Sequence, residues 1–251
     1  MKRQHADEPR ATNELTRLVL QACLVGKDAA YNLRDFIENS SNMAYISVKD
    51  CEKELDRMER RVDEEIPHAI TEVTESEARE LLACLKFIID LERIGDLTCS
   101  VAMRLQDLPV RLLRDDSRDL IAMSDVLEKM LEAVHHGFLR RDLSSATWVI
   151  QTDAQIDQLC RAVFRRHLET RERRRRDYST TVLLMAQAFE RAGDHTKNLG
   201  EELFHLVEGR SVRHEPKRPG RYKLEPRRTG RAREGDGEAV PILSTRKQND
   251  E

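Results

Sequence analysis

The phrase Glu-Arg-x-Gly-Asp occurs twice in this chain, as Glu92-Arg93-Ile94-Gly95-Asp96 and as Glu190-Arg191-Ala192-Gly193-Asp194, the second copy offset from the first by 98 residues. Each copy sits late in a long helix-patterned segment. Recurrence of four fixed residue types in matching surroundings points to one structural unit used twice. In each copy the two carboxylates are spaced i, i+4, which puts them on one helical face, and duplicated acidic faces can hold cations. The glycines need their own account, because glycine inside a helix costs about 1 kcal/mol relative to alanine. Close approach of a neighbouring helix, or room for a bound cluster, would explain the same glycine twice.

Apolar periodicity predicts six long helices around these phrases. The first spans about 12–38, through Leu15, Leu18, Val19, Ala22, Leu33 and Phe36. After the turn cluster Asn39-Ser40-Ser41-Asn42 a second covers about 42–75, where Pro67 is expected to kink or break it. Ser76 and Glu77 open a third, 76–107, which stops before Pro109. The pattern restarts with helices over about 117–139 and 143–172, the latter capped from Asp142-Leu143-Ser144. The sixth covers about 178–208, with Gly209 suited to its C-terminus. The expected fold class is all-α: two tandem three-helix bundles, over 12–110 and 117–208, related by an internal pseudo-repeat.

Charged residues make up 35% of the chain and aromatics only 4%, a profile of extended helices rather than sheets. Residues 1–11 read as a flexible N-terminus. Residues 209–251 lose all periodicity and carry twelve Lys/Arg against seven Asp/Glu, which reads as a disordered basic tail on an acidic body. A polar N-terminus and the lack of any apolar run near 18 residues lead us to expect a cytoplasmic chain with no signal peptide or membrane span. Cys23, Cys51, Cys84, Cys99 and Cys160 are scattered without a C-x-x-C pair, so buried reduced thiols are expected.

Helix two carries Asp50 and Glu54, and helix five carries Asp153 and Asp157. In an up-down-up bundle these i, i+4 pairs are expected to face Glu92 with Asp96 and Glu190 with Asp194. Four carboxylates in one patch repel one another unless protonated or neutralised by cations. Oxygen-only ligation suits hard ions, and carboxylate clusters also hold iron. Asn198, one further turn along from Asp194, adds a neutral oxygen, where the first copy has Ser100. The second face is therefore expected to hold metal better.

The stretches Asp90-Leu91-Glu92-Arg93-Ile94-Gly95-Asp96 and Glu190-Arg191-Ala192-Gly193-Asp194-His195-Thr196-Lys197-Asn198 resemble the PhoU family, and the likeness covers about 12–208. That resemblance implies E(D)-x-x-x-D metal-cluster sites for iron, zinc, magnesium or similar ions. It also implies a dimeric regulator of phosphate uptake that works by contact with a Pst-type phosphate transporter and a PhoR-type sensor histidine kinase. An adaptor for another ion or phosphate transporter is the alternative within that fold.

An enzyme reading comes from two Glu-x-x-His frames, Glu132 with His135 and Glu202 with His205, as in carboxylate-bridged di-iron oxidases. All four residues flank the apolar stripes rather than replacing stripe positions, which counts against inward ligation. The sequence offers no Ser-His-Asp arrangement and no Gly-rich phosphate loop, so no enzymatic activity is expected. The run Arg165-Arg166-His167 and the arginines from Arg171 to Arg176 read as a solvated helix end, or else as a docking element for an acidic protein partner or an anionic membrane surface.

Overall fold

The computed structural model describes residues 11–168 and 176–209; residues 1–10 of the expected N-terminal segment, the end of the expected fifth helix with Arg171 to Arg175 of the basic run, and all of the basic tail beyond Gly209 lie outside the described residues. The described chain is all-helical, in the order α1 (Ala11–Asn39), α2 (Asn42–Ala69), α3 (Glu75–Gln106), α4 (Arg114–Arg140), α5 (Leu143–Leu168) and α6 (Arg176–Glu208). Pro67 does not break α2. It stands in the last turn, and the chain tightens into a 3₁₀ turn at Ile70–Glu72 before α3. The third helix starts one residue earlier than expected because Thr74 and Glu77 form a reciprocal capping box, so Ser76 lies inside the helix.

Within each half the three helices pack on one another. Between the halves α1 lies against α4 and α3 against α6, leaving α2 and α5 on the outer flanks. The buried residues of all six helices form one continuous apolar core, including Leu15, Leu33, Leu91, Leu131, Val163 and Phe189. Its centre carries an aromatic contact between α3 and α4, with the Phe87 and Phe138 rings 4.6 Å apart.

The internal repeat has a fixed register. Ser40 (φ 53°) and Arg141 (φ 54°) are the left-handed residues that end α1 and α4. They stand 141 − 40 = 101 residues apart. The buried positions of α1 match those of α4 at that offset: Leu15 with Asp116, Val19 with Leu120, Ala30 with Leu131 and Leu33 with Val134. The same offset relates α2 to α5, whereas α3 and α6 follow the motif offset of 98.

The interface between the halves is partly ionic. Arg34 of α1 reaches Glu128 of α4 at 3.1 Å, and the Ser124 hydroxyl donates to the Ala30 carbonyl at 2.8 Å. His195 of α6 bonds Asp90 of α3 at 2.7 Å, and Lys86 of α3 holds both oxygens of the buried Glu202 at 3.0 Å. No described helix is long and apolar enough to cross a membrane. All five cysteines are free: four are buried, while Cys51 is half-buried.

Candidate metal centre

Where α3 crosses α2, Gly95 packs directly against Glu52 and Leu55 of α2. A Cβ there would lie 2.7 Å from Leu55 Cδ1, too close for the packed, fully buried leucine to accommodate freely. That contact fixes which side of α2 meets the motif. Glu52, Asp56 and Glu59 lie on the Leu55 side, one and two turns apart, and their charges bear on Glu92 and Asp96. One carboxylate oxygen each from Glu52, Asp56 and Asp96 comes within 4.8 Å of the others.

Asp50 and Glu54, expected on this face, are not brought to it. Asp50 is exposed and pairs with Lys53 at 3.3 Å, and Glu54 pairs with Arg57. Both sit on the side of α2 where Cys51 and Asp28 of α1 are found. Two residues along a helix is about 200° of rotation, so choosing the pair two positions out of register turns it to the opposite side. The carboxylates that match Asp153 and Asp157 at the 101 offset are Glu52 and Asp56, not Asp50 and Glu54.

Glu92 is the most perturbed carboxyl of the first face. Burial, then the charges of Asp96 and Glu59, push it from the usual 4.5 up to about 7. Its Oε2 is buried without a hydrogen-bond partner, although Arg93 Nε lies 3.3 Å away in poor geometry. Arg93 also reaches Asp96 at 3.3 Å from a side chain that is 53% exposed. Burial likewise raises Glu52 and Glu59, with neighbouring carboxylates adding to the effect.

The second face repeats the backbone plan with different chemistry. A Cβ on Gly193 would stand 3.1 Å from Ile156 Cδ1 and 3.3 Å from Asp153 Oδ1. Here the structure does bring the expected residues Asp153, Asp157, Glu190 and Asp194 together: burial and then the charges of Asp194, Asp157 and Asp153 raise Glu190. Lys197, one turn beyond Asp194's neighbour Gly193, lays its ammonium 3.2 Å from the buried Asp153 and 4.0 Å from Asp194. Desolvation would lower Lys197, but the charge and hydrogen bond of Asp153 outweigh it; burial in turn raises Asp153 against the pull of Lys197, and its Oδ1 is buried without a hydrogen-bond partner. Asn198 is half-buried on the same helix.

The Glu-x-x-His frames do not form a centre. Glu132 pairs at the surface with Lys27 at 3.7 Å, and Glu202 is buried against α3, where Lys86 and His205 satisfy it. Glu202 thus belongs to the interface between the halves, a place its position beside the stripe did not reveal. Arg166 and His167, read as a solvated helix end, are turned inward. Arg166 pairs with Asp116 and Asp119, and His167 Nε2 meets Asp116 at 3.0 Å. Tyr178 donates to Asp116 at 2.7 Å, and Ser179 Oγ lies 3.0 Å from His167 Nδ1. A Ser–His–Asp line therefore does exist, assembled from α4, α5 and α6. Its aspartate also serves an arginine and a tyrosine, so it works as the keystone that closes the end of the second bundle.

Two tandem three-helix bundles, each with an acidic face where its second and third helices cross over a glycine, define a class of repeat-built helical-bundle proteins. The PhoU domain family model matches residues 28–105 and 120–203, one match per bundle, and the chain belongs to that family. Over 208 residues it is 27% identical to a phosphate-specific transport system accessory protein PhoU homolog of Pseudomonas putida, the match covering 79% of each chain. A homolog of the same description from Pseudomonas aeruginosa is 27% identical over 206 residues, 79% of this chain and 84% of the relative. The crystal structure of PhoU from Pseudomonas aeruginosa superposes with a TM-score of 0.72 at 22% identity, covering 80% of this chain and 98% of that one. The phosphate transport system regulatory protein PhoU from Streptococcus pneumoniae gives 0.70 at 19% identity, covering 80% and 97%.

Proposed function

We propose that this protein is an accessory regulator of phosphate-specific transport, working in the cytoplasm by contact with a Pst-type phosphate transporter and a PhoR-type sensor kinase. Family membership across both bundles is the observation that carries this reading. The chain spans about four-fifths of the Pseudomonas relatives named as accessory proteins of that system. A homodimer is the expected working form.

The acidic faces supply the means. On the first face, oxygen donors of Glu52, Asp56 and Asp96 converge, and a buried Glu92 oxygen lacks a hydrogen bond. These residues fit a hard divalent cation: magnesium and manganese suit the donor set, iron is compatible with it, and zinc suits it less. Such an ion would neutralise the patch. The chain's own part is to hold α2 against α3 at Gly95, keep the carboxylates on one accessible face, and present that face to a partner.

The deciding experiment is deletion of the gene, followed by phosphate uptake and starvation-gene expression in phosphate-replete medium. Deregulated uptake restored by the wild-type gene, and restored poorly by a Glu52→Gln/Asp96→Asn variant, is the expected result. Unchanged uptake and expression on deletion would count directly against the regulatory role.

A further inference from the structure

We infer that Lys197 is the resident cation of the second acidic face, so that a divalent ion binds this chain at the first face alone. The inference rests on the reading of these faces as cation sites, but it concerns how the two differ. At the repeat offsets, 197 − 98 = 99 places Cys99 opposite Lys197, and 160 − 101 = 59 places Glu59 opposite Cys160. The first face thus gathers Glu52, Asp56, Glu59, Glu92 and Asp96, while the second keeps Asp153, Asp157, Glu190 and Asp194 and gains an ammonium. Two exchanges, carboxylate to thiol and thiol to ammonium, act in the same direction.

Position matters as much as charge. The Lys197 side chain is 18% exposed and is bonded to Asp153, whose side chain is 5% exposed, at the place where the two helices meet. An ion entering there would meet a desolvated ammonium already bonded to Oδ2 of Asp153, the most buried carboxylate of the set, and would have to share that carboxylate through its unpartnered Oδ1 or displace the ammonium. Breaking a buried pair by removing one partner strands the other charge, which is strongly unfavourable. Arg93 is not its counterpart. That guanidinium lies mostly in solvent on the outer rim, and its contacts at 3.3 Å can be given up to water. Cys99, which takes the place of the ammonium, is a buried thiol that burial and the charge of Glu52 keep protonated. The extra neutral oxygen of Asn198 therefore counts for less than the cation beside it, and the order expected from Asn198 is reversed.

The test is a titration of the full-length, chelator-treated protein with Mn²⁺, read by calorimetry and by the shift in melting temperature. Wild type should show one class of site, weakened at least about tenfold by Glu52→Gln/Asp96→Asn and unaltered by Asp157→Asn/Asp194→Asn. Lys197→Ala should add a second binding event that Asp194→Asn removes. The reciprocal change Cys99→Lys should abolish binding at the first face, and it decides the matter if Lys197→Ala does not fold. Loss of wild-type binding in Asp157→Asn/Asp194→Asn, or no added site in folded Lys197→Ala, overturns the inference. Should wild type bind no Mn²⁺, the cation reading of the first face fails, and Lys197→Ala alone then decides: a gained site upholds the role of Lys197, none overturns it.

Discussion

At the end of the first bundle the repeat register places Leu15, Ile66 and Leu81, and at the end of the second it places Asp116, His167 and Ser179. One end is closed by apolar packing, with Leu15 and Leu81 fully buried. The other is closed by a charge network around an aspartate that is equally buried. The acidic faces differ in the same sense: the second holds Lys197 against the buried Asp153, whereas on the first the buried Glu92 is met by the half-exposed Arg93. One backbone plan thus holds two solutions to burying charge, and the proposed asymmetry in ion binding rests on that difference.

Breaking the ionic closure should produce the largest effect. Asp116→Ala leaves Arg166 paired with Asp119, takes the Asp116 partner from His167 Nε2 and the Tyr178 hydroxyl, and is expected to cost about 3–5 kcal/mol in chemical denaturation. Transplanting the first half's residues, as Asp116→Leu/His167→Ile/Ser179→Leu, should recover most of that loss, since apolar replacement of a buried ionic set is often neutral. A triple variant as unstable as the single one would show that the two ends are not interchangeable.

The first face should betray its unsolved repulsion through pH. Glu92 holds its proton to about 7 in the folded protein, against 4.5 for an ordinary glutamate. Between those values the native state binds more protons than the unfolded chain, so stability falls as pH rises through that window and levels off above it. In divalent-free buffer the loss should be on the order of 2–3 kcal/mol, and Glu92→Gln should flatten the profile. A melting temperature that climbs between pH 5 and 7 in wild type, relative to Glu92→Gln, would contradict the assignment.

The glycines sharpen the comparison further. Gly95→Ala drives a Cβ to 2.7 Å from Leu55, whereas Gly193→Ala meets Ile156 at 3.1 Å. Overpacking at the first site should cost about 1–3 kcal/mol. At the second, the gain in helix propensity of about 1 kcal/mol should roughly cancel the strain. Equal melting temperatures for the two variants would mean that the crossings are equally tight after all.

The helices and their doubling were legible because core periodicity and a repeated phrase survive in one sequence. The α2 side of the first face was not. Asp50, Glu52, Glu54, Asp56 and Glu59 offer overlapping i, i+4 pairs, and residue type alone cannot say which pair turns toward α3. The repeat could have: the left-handed Ser40 and Arg141 and the caps that follow them set the 101 offset, which selects Glu52 and Asp56. The Ser–His–Asp line was beyond reach for another reason. Its members come from three helices, and only the packed bundle brings residues 116, 167 and 179 together.

The smallest expected difference lies at those caps. Ser41 and Asp142 are equivalent at 142 − 41 = 101 and open α2 and α5 respectively. Ser41 accepts one backbone bond, from Ala44 at 3.2 Å. Asp142 accepts the amides of Ser144 and Ser145 at 3.0 and 3.1 Å and both their hydroxyls. Those hydroxyls, followed by the amides, hold Asp142 down to about 2, from an ordinary 3.8. A depressed carboxyl contributes stability that is whole above the unfolded value and is lost as pH falls toward the folded one. Both alanine variants should cost about 1 kcal/mol near neutrality. Only the Asp142→Ala penalty should shrink between pH 4 and 2, because serine has no proton to gain there. A Ser41→Ala penalty that fades over the same acid range would show that the loss belongs to the bundle as a whole and not to the charged cap.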